Sequence, residues 1–160
     1  RRTAEHPRMT TMTRKVHLPA PDWQFYLLIA GTIPTGIGLW WCLPARYAQS
    51  IASDPWLLVS FLLLYPLVEE WVFRGIMQGE LLKREWGKQR AIGISNANLV
   101  TSILFTLLHF INHPPLLALA VFIPSLVLGH FRERHDSLLP PMLLHPLFNL
   151  AYLVAGIVPG

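Results

Sequence analysis

The sequence predicts an all-α, polytopic membrane protein, a transmembrane helix bundle of about five spans. Three observations carry this. The 160 residues are 52% hydrophobic and only 14% charged, whereas soluble domains carry about a quarter charged residues. The apolar residues fall into five blocks, and within lipid only helices and closed barrels satisfy their own backbone. The lysines and arginines gather in every second connection between those blocks.

The first block runs from about Phe25 to Leu43 and is interrupted by Pro34. The second runs from Trp56 past Val72 towards Leu82. The third covers about Ala97 to Ile111, the fourth Leu116 to Phe131, and the fifth Leu138 to Val158. About 20 residues span a bilayer, so the third and fourth are short and fit a small tilt or a thinned membrane. The division is a basic segment over residues 1–22 followed by one membrane-embedded domain over 23–160. There is no internal repeat and no low-complexity tract.

The basic residues set the expected orientation. Five precede the first block (Arg1, Arg2, Arg8, Arg14, Lys15), and one follows it, Arg46. Four follow the second (Lys83, Arg84, Lys88, Arg90), none lie in "NHPP", two follow the fourth (Arg132, Arg134), and none follow the fifth. This alternation predicts a cytoplasmic N-terminus and an external C-terminus, and it survives if Met12 rather than Met9 or an earlier residue starts the chain. The net charge of +4 therefore reports topology, and a nucleic-acid partner is not expected. A single cysteine, Cys42, excludes an intrachain disulfide. No cleavable signal peptide is expected, because Trp-Trp-Cys-Leu-Pro follows the first apolar stretch.

Charge inside the second block demands an explanation. "YPLVEEWVFRG" places Glu69, Glu70 and Arg74 in a stretch expected to lie in lipid, where a charged side chain costs about 2.5–3.5 kcal/mol on insertion scales. Glu70 and Arg74 are four apart with the acid N-terminal, the better orientation for a helical ion pair. Glu69 points away from Arg74, so one carboxylate is neutralised locally and the other is left poised as an acid or base. Other polar groups sit in separate blocks: His109 in "FTLLHF", and His145 with Asn149, four apart, in "HPLFN". Pro66 and Pro146 each remove a backbone donor beside these places and leave a carbonyl free. Each polar site alone also reads as interhelical hydrogen bonding; three on three helices, with one carboxylate unpaired, favour chemistry. His6, His17, His130 and His135 lie in charged flanks and read as solvated. His113 falls in the "NHPP" turn, where pairing with His109 on a metal is a minor reading.

The motifs "EEWVFRG", "FTLLH" and "HPLFN" resemble, in order, the Glu-Glu-x-x-x-Arg, Phe-x-x-x-His and His-x-x-x-Asn motifs of the CPBP family. These are the type II CAAX prenyl endopeptidases and bacteriocin-processing (Abi) proteins, a family of glutamic intramembrane proteases. The resemblance covers about Tyr65 to Leu150 and fills all seven motif positions, including Phe105. It implies that Glu69 activates water, that His109 helps to hold that water, and that His145 and Asn149 form the oxyanion hole. Glu70 and Arg74 would order the helix presenting Glu69. It implies no cofactor and no metal, a membrane-anchored protein or peptide substrate, and a bacterial inner membrane. Among small members the chain looks most like the C-terminal sorting proteases of the myxosortase and JDVT-CTERM type.

Other readings remain at this level. No serine elbow, catalytic cysteine setting or paired aspartates support another protease class, and the absence of His-Glu-x-x-His leaves a zincin unsupported. Glu69, His109 and His145 are residue types that suit zinc. A non-catalytic membrane protein of the same fold, in an immunity or scaffold role, and a small transporter with a proton-relay carboxylate are the alternatives to an enzyme.

Overall fold

The computed structural model describes residues 22–41 and 48–157. The basic residues before Asp22, with His6 and His17 among them, and also Cys42 and Arg46, lie outside that range. The described chain is helical except for one two-stranded hairpin.

The first helix is Trp23–Trp41 and contains Pro34. A short helix over Ala48–Ser53 follows. The longest element, the motif helix, runs over Pro55–Leu81. Its start is fixed by chemistry at the terminus: Asp54 Oδ1 accepts from the amides of Trp56 (2.8 Å) and Leu57 (3.2 Å). Pro55 then occupies the first turn, where its missing N–H costs nothing. Two π-helical stretches, Ser60–Leu64 and Trp71–Met77, flank an α-helical Tyr65–Glu70, so the paired glutamates sit at the junction of the α turn and the second π stretch.

After the motif helix come a single turn over Glu85–Lys88 and a hairpin pairing Arg90–Ala91 with Ile94–Ser95. Its two-residue loop, Ile92 and Gly93, has φ of 53° and 81°. A type I′ hairpin turn requires positive φ at both positions, so glycine fits there and the fully exposed isoleucine is strained. Ser95 accepts from the Asn98 amide at 2.9 Å and starts the helix Asn96–His109. Pro115–Ala120 and Phe122–Arg134 follow, then the last helix, Leu139–Ile157, with Pro146 inside.

The first helix packs chiefly on the last, and Asn96–His109 packs on Phe122–Arg134. One apolar core lies among Phe25, Leu128, Phe131 and Leu144. His135, read from the sequence as solvated, belongs beside this core. Its ring stacks on Phe131, its side chain is only 9% exposed, and Nε2 lies 3.2 Å from Asp22 Oδ2. Arg134 Nε also donates to Asp22, which ties the start of the first helix to the end of Phe122–Arg134 and holds the Asp22 carboxyl below the usual carboxylate range. His130 is likewise partly covered rather than fully solvated.

Among the described residues, three helices are long and apolar enough to cross a membrane: Pro55–Leu81, Pro115–Arg134 and Leu139–Gly156. The expected count of about five is therefore not reached by length and composition. Asn96–His109 has only 14 residues, about 21 Å of rise, and its buried face is strongly polar.

Candidate active site

The motif helix turns one polar face inward. Glu70, Arg74 and Gln78 follow one another at four-residue steps and are fully buried. Arg74 Nε donates to Glu70 Oε2 at 3.2 Å, the ion pair that the spacing predicts, and Arg74 Nη2 donates to Ser125 Oγ at 2.7 Å. Gln78 Nε2 donates to the Gly129 carbonyl at 3.1 Å and to Glu133 Oε1 at 2.8 Å. Ser125, Gly129 and Glu133 are again four apart, so two polar ladders face each other. Glu133 also accepts from Ser95 Oγ and from Arg90 Nη2, both at 2.5 Å. A third helix closes the packing through Asn98, which donates to the Leu126 carbonyl and accepts from Ser102. Gly129 makes this approach possible, because a Cβ there would fall 1.9 Å from Asn98 Oδ1.

Charge buried in this way persists only when paired and hydrogen-bonded. The Arg74 guanidinium also lies 5.6 Å from the Phe105 ring centroid, a cation–π distance. Phe105 is the pivot of the site. Its ring meets Phe73 edge-on at 5.0 Å, His109 at 4.4 Å and His145 at 5.9 Å between centroids.

His145 comes from the last helix. Its Nδ1 donates to Glu70 Oε1 at 2.8 Å, and Nε2 lies 3.6 Å from Glu69 Oε2. Glu70 thus holds Arg74 with one oxygen and His145 with the other. Glu69 is different: its side chain is 34% exposed. It lines a cavity of about 280 Å³ with Phe73, Phe105, Leu108, His109, Ile111, Asn112 and His113. His109 Nδ1 donates to the Phe105 carbonyl one turn back at 2.8 Å, so Nε2 is the nitrogen left to act as acceptor. His113 stacks on His109 with centroids 5.5 Å apart. His113 lies in the turn after the helix, as its place in "NHPP" predicts, and its i, i+4 spacing to His109 is the signal that it shares the site.

Asn149 stands one turn beyond His145 and donates Nδ2 to the Phe61 carbonyl at 2.8 Å. The reason is local. Within the π stretch the Tyr65 amide bonds to Ser60 O, and the next residue, Pro66, has no N–H. Phe61 O is thereby left without a helical donor, and Asn149 supplies one. Pro66 frees a carbonyl as expected, though the π register shifts which one.

The structure thus brings Glu69, Glu70, Arg74, Phe105, His109 and His145 into one cluster, with Asn149 adjacent. Among the described residues no group of three or more His, Cys, Asp or Glu side chains is spaced to hold a metal ion. Comparison with curated proteins and with solved structures gives no match. A family model, type II CAAX prenyl endopeptidase Rce1-like, matches residues 50–151, a stretch holding all seven motif residues and well over half of the chain. The chain is therefore an integral membrane protein that belongs to the Rce1-like, CAAX-protease family.

Proposed function

We propose that this protein is an intramembrane glutamic endopeptidase that hydrolyses a peptide bond of a membrane-associated protein, with Glu69 as general base. One observation carries the proposal. Of two adjacent glutamates, Glu70 is consumed by Arg74 and His145, while Glu69 opens onto a cavity that it shares with His109. A water held between Glu69 and His109 Nε2 gives one proton to Glu69 as its oxygen adds to the scissile carbonyl carbon. The carbonyl π electrons move to oxygen. When the tetrahedral centre collapses, the C–N bond breaks and Glu69 returns the proton to the departing amine.

His145 and Asn149 serve the oxyanion. With Nδ1–H given to Glu70, the Nε2 edge of His145 is the one turned towards Glu69 and the reacting side of the site. Asn149 has a second amide hydrogen beyond the one on Phe61 O. Donors so placed contribute about 2.7–4 kcal/mol each to the transition state. The charge alternation supports five crossings with the N-terminus cytoplasmic and the C-terminus outside, and the resemblance supports a bacterial inner membrane. A C-terminal sorting signal is the substrate that the resemblance to the myxosortase and JDVT-CTERM type supports.

The test is terminal-peptide mass spectrometry on membranes from cells expressing the wild type or Glu69→Gln at equal level. New termini in a membrane-anchored protein that need Glu69 are expected. Identical termini with both chains overturn the proposal.

A further inference from the structure

The two ends of the bundle treat the Glu69 cavity differently. On the side of the Leu81 end of the motif helix, the floor is shut. Phe73 and Phe105 meet edge-on, and beneath them lie Arg74, Gln78 and Thr101, all fully buried, then the Asn98–Gly129 contact that leaves no room for one methyl group. On the other side the cavity is walled by the turn that follows Asn96–His109. Ile111 is 73% exposed, and Asn112 and His113 are exposed beside it.

That turn is also short of the bundle's end. Phe73 lies against Phe105, so Glu69 and His109, each four residues further on in opposite directions, are level. The chain leaves the helix at His109, while the motif helix continues 14 residues past Glu69 to Pro55, roughly 21 Å. Above the cavity, therefore, the exposed Tyr65 and Val68 have no counterpart from Asn96–His109.

We infer that the substrate segment reaches Glu69 from the end of the bundle that carries residues 110–114, never from the end that carries Lys83 to Arg90. The inference rests on the protease reading above and narrows its substrate. A cavity of about 280 Å³ fits an extended backbone with a few side chains better than a helix about 10–12 Å across. The bond cut lies in a stretch that is extended where it meets Glu69, roughly 21 Å inside the Pro55 end of the motif helix. Phe73, Phe105, Leu108 and Ile111 make the walls apolar, so an apolar residue next to that bond fits. Under the charge alternation this face is the external one, so the substrate enters from the extracytoplasmic side.

Thiol labelling from one side of a sealed membrane tests this without knowledge of the substrate. In a Cys42→Ser chain, Asn112→Cys and Lys88→Cys mark the two ends, and Glu69→Cys and Leu108→Cys report on the cavity. The probe is the membrane-impermeant trimethylammonium-ethyl methanethiosulfonate. Both cavity cysteines should react from the side on which Asn112→Cys reacts and be at least tenfold slower from the Lys88→Cys side. Reaction from the Lys88→Cys side, or from neither side when denaturation shows the thiols intact, overturns the inference. Because labelling is read without catalysis, a wrong protease reading shows separately, as wild-type cleavage by Glu69→Gln.

Discussion

Two faces of the motif helix differ more than two neighbouring residues of the same type would suggest. The face carrying Glu70, Arg74 and Gln78 is fully buried and bonded at every step to the helix Phe122–Arg134 or to His145. The face carrying Glu69, about 100° around the axis, opens on a cavity with His109. Under the proposed function, the number of partners rather than residue type divides a brace from a reacting group. A carboxylate with both oxygens occupied is architecture, and one with a free oxygen facing water can exchange a proton.

The buried face should break hardest. Arg74→Ala leaves Glu70 Oε2 without its guanidinium partner, and removing one partner of a buried pair costs about 3–5 kcal/mol. Thermal unfolding in detergent should show a large loss, and Glu70→Gln a similar one. The double variant Glu70→Gln/Arg74→Gln should regain part of it; a double variant no more stable than either single one means that the pair does not brace the helix. Next in size is Gly129→Ala, whose new methyl meets Asn98 Oδ1 and should cost about 1–3 kcal/mol. Asn98→Ala added to it removes the clashing atoms and should recover stability, whereas no recovery points to a different origin of the loss.

Smaller still, Asn149→Ala strips the Phe61 carbonyl of its donor and should cost about 1–3 kcal/mol in stability. Cleavage should fall further than that loss explains if Asn149 also serves the oxyanion. Asp54→Ala, at the exposed start of the same helix, should cost about 1 kcal/mol and leave cleavage by the folded fraction unchanged. If Asp54→Ala destabilised as much as Arg74→Ala, the contrast between faces would fail.

How much of this was legible in the sequence follows from what is local. The Glu70–Arg74 pair was legible because i, i+4 geometry belongs to any helix. The assembly of "FTLLHF" and "HPLFN" around it was legible because polar residues in apolar helices need each other. The π stretches were not, since no residue pattern over Ser60–Leu64 or Trp71–Met77 distinguishes them from an α-helix. Glu133 and His135 were hidden in "FRERHD", which reads as a charged flank; only the fold shows Glu133 joined to Gln78, Ser95 and Arg90. The Ile92–Gly93 hairpin carries a poor turn residue and gave no signal. Of the expected five spans, three described helices qualify by length and composition; Asn96–His109 does not, because it is short and its buried face is polar.

The most direct measurement of the central claim compares Glu69→Gln with Glu70→Gln for both cleavage and unfolding midpoint in the same membrane mimic. Glu69→Gln keeps size and polarity and lies on the open face, so its midpoint should match the wild type while cleavage falls by about three orders of magnitude or more. That is the scale on which a positioned base contributes together with its water. Glu70→Gln should lose several kcal/mol of stability, and cleavage with it. A Glu69→Gln protein that unfolds early, or a Glu70→Gln protein that is fully stable and inactive, would reverse base and brace and contradict this account.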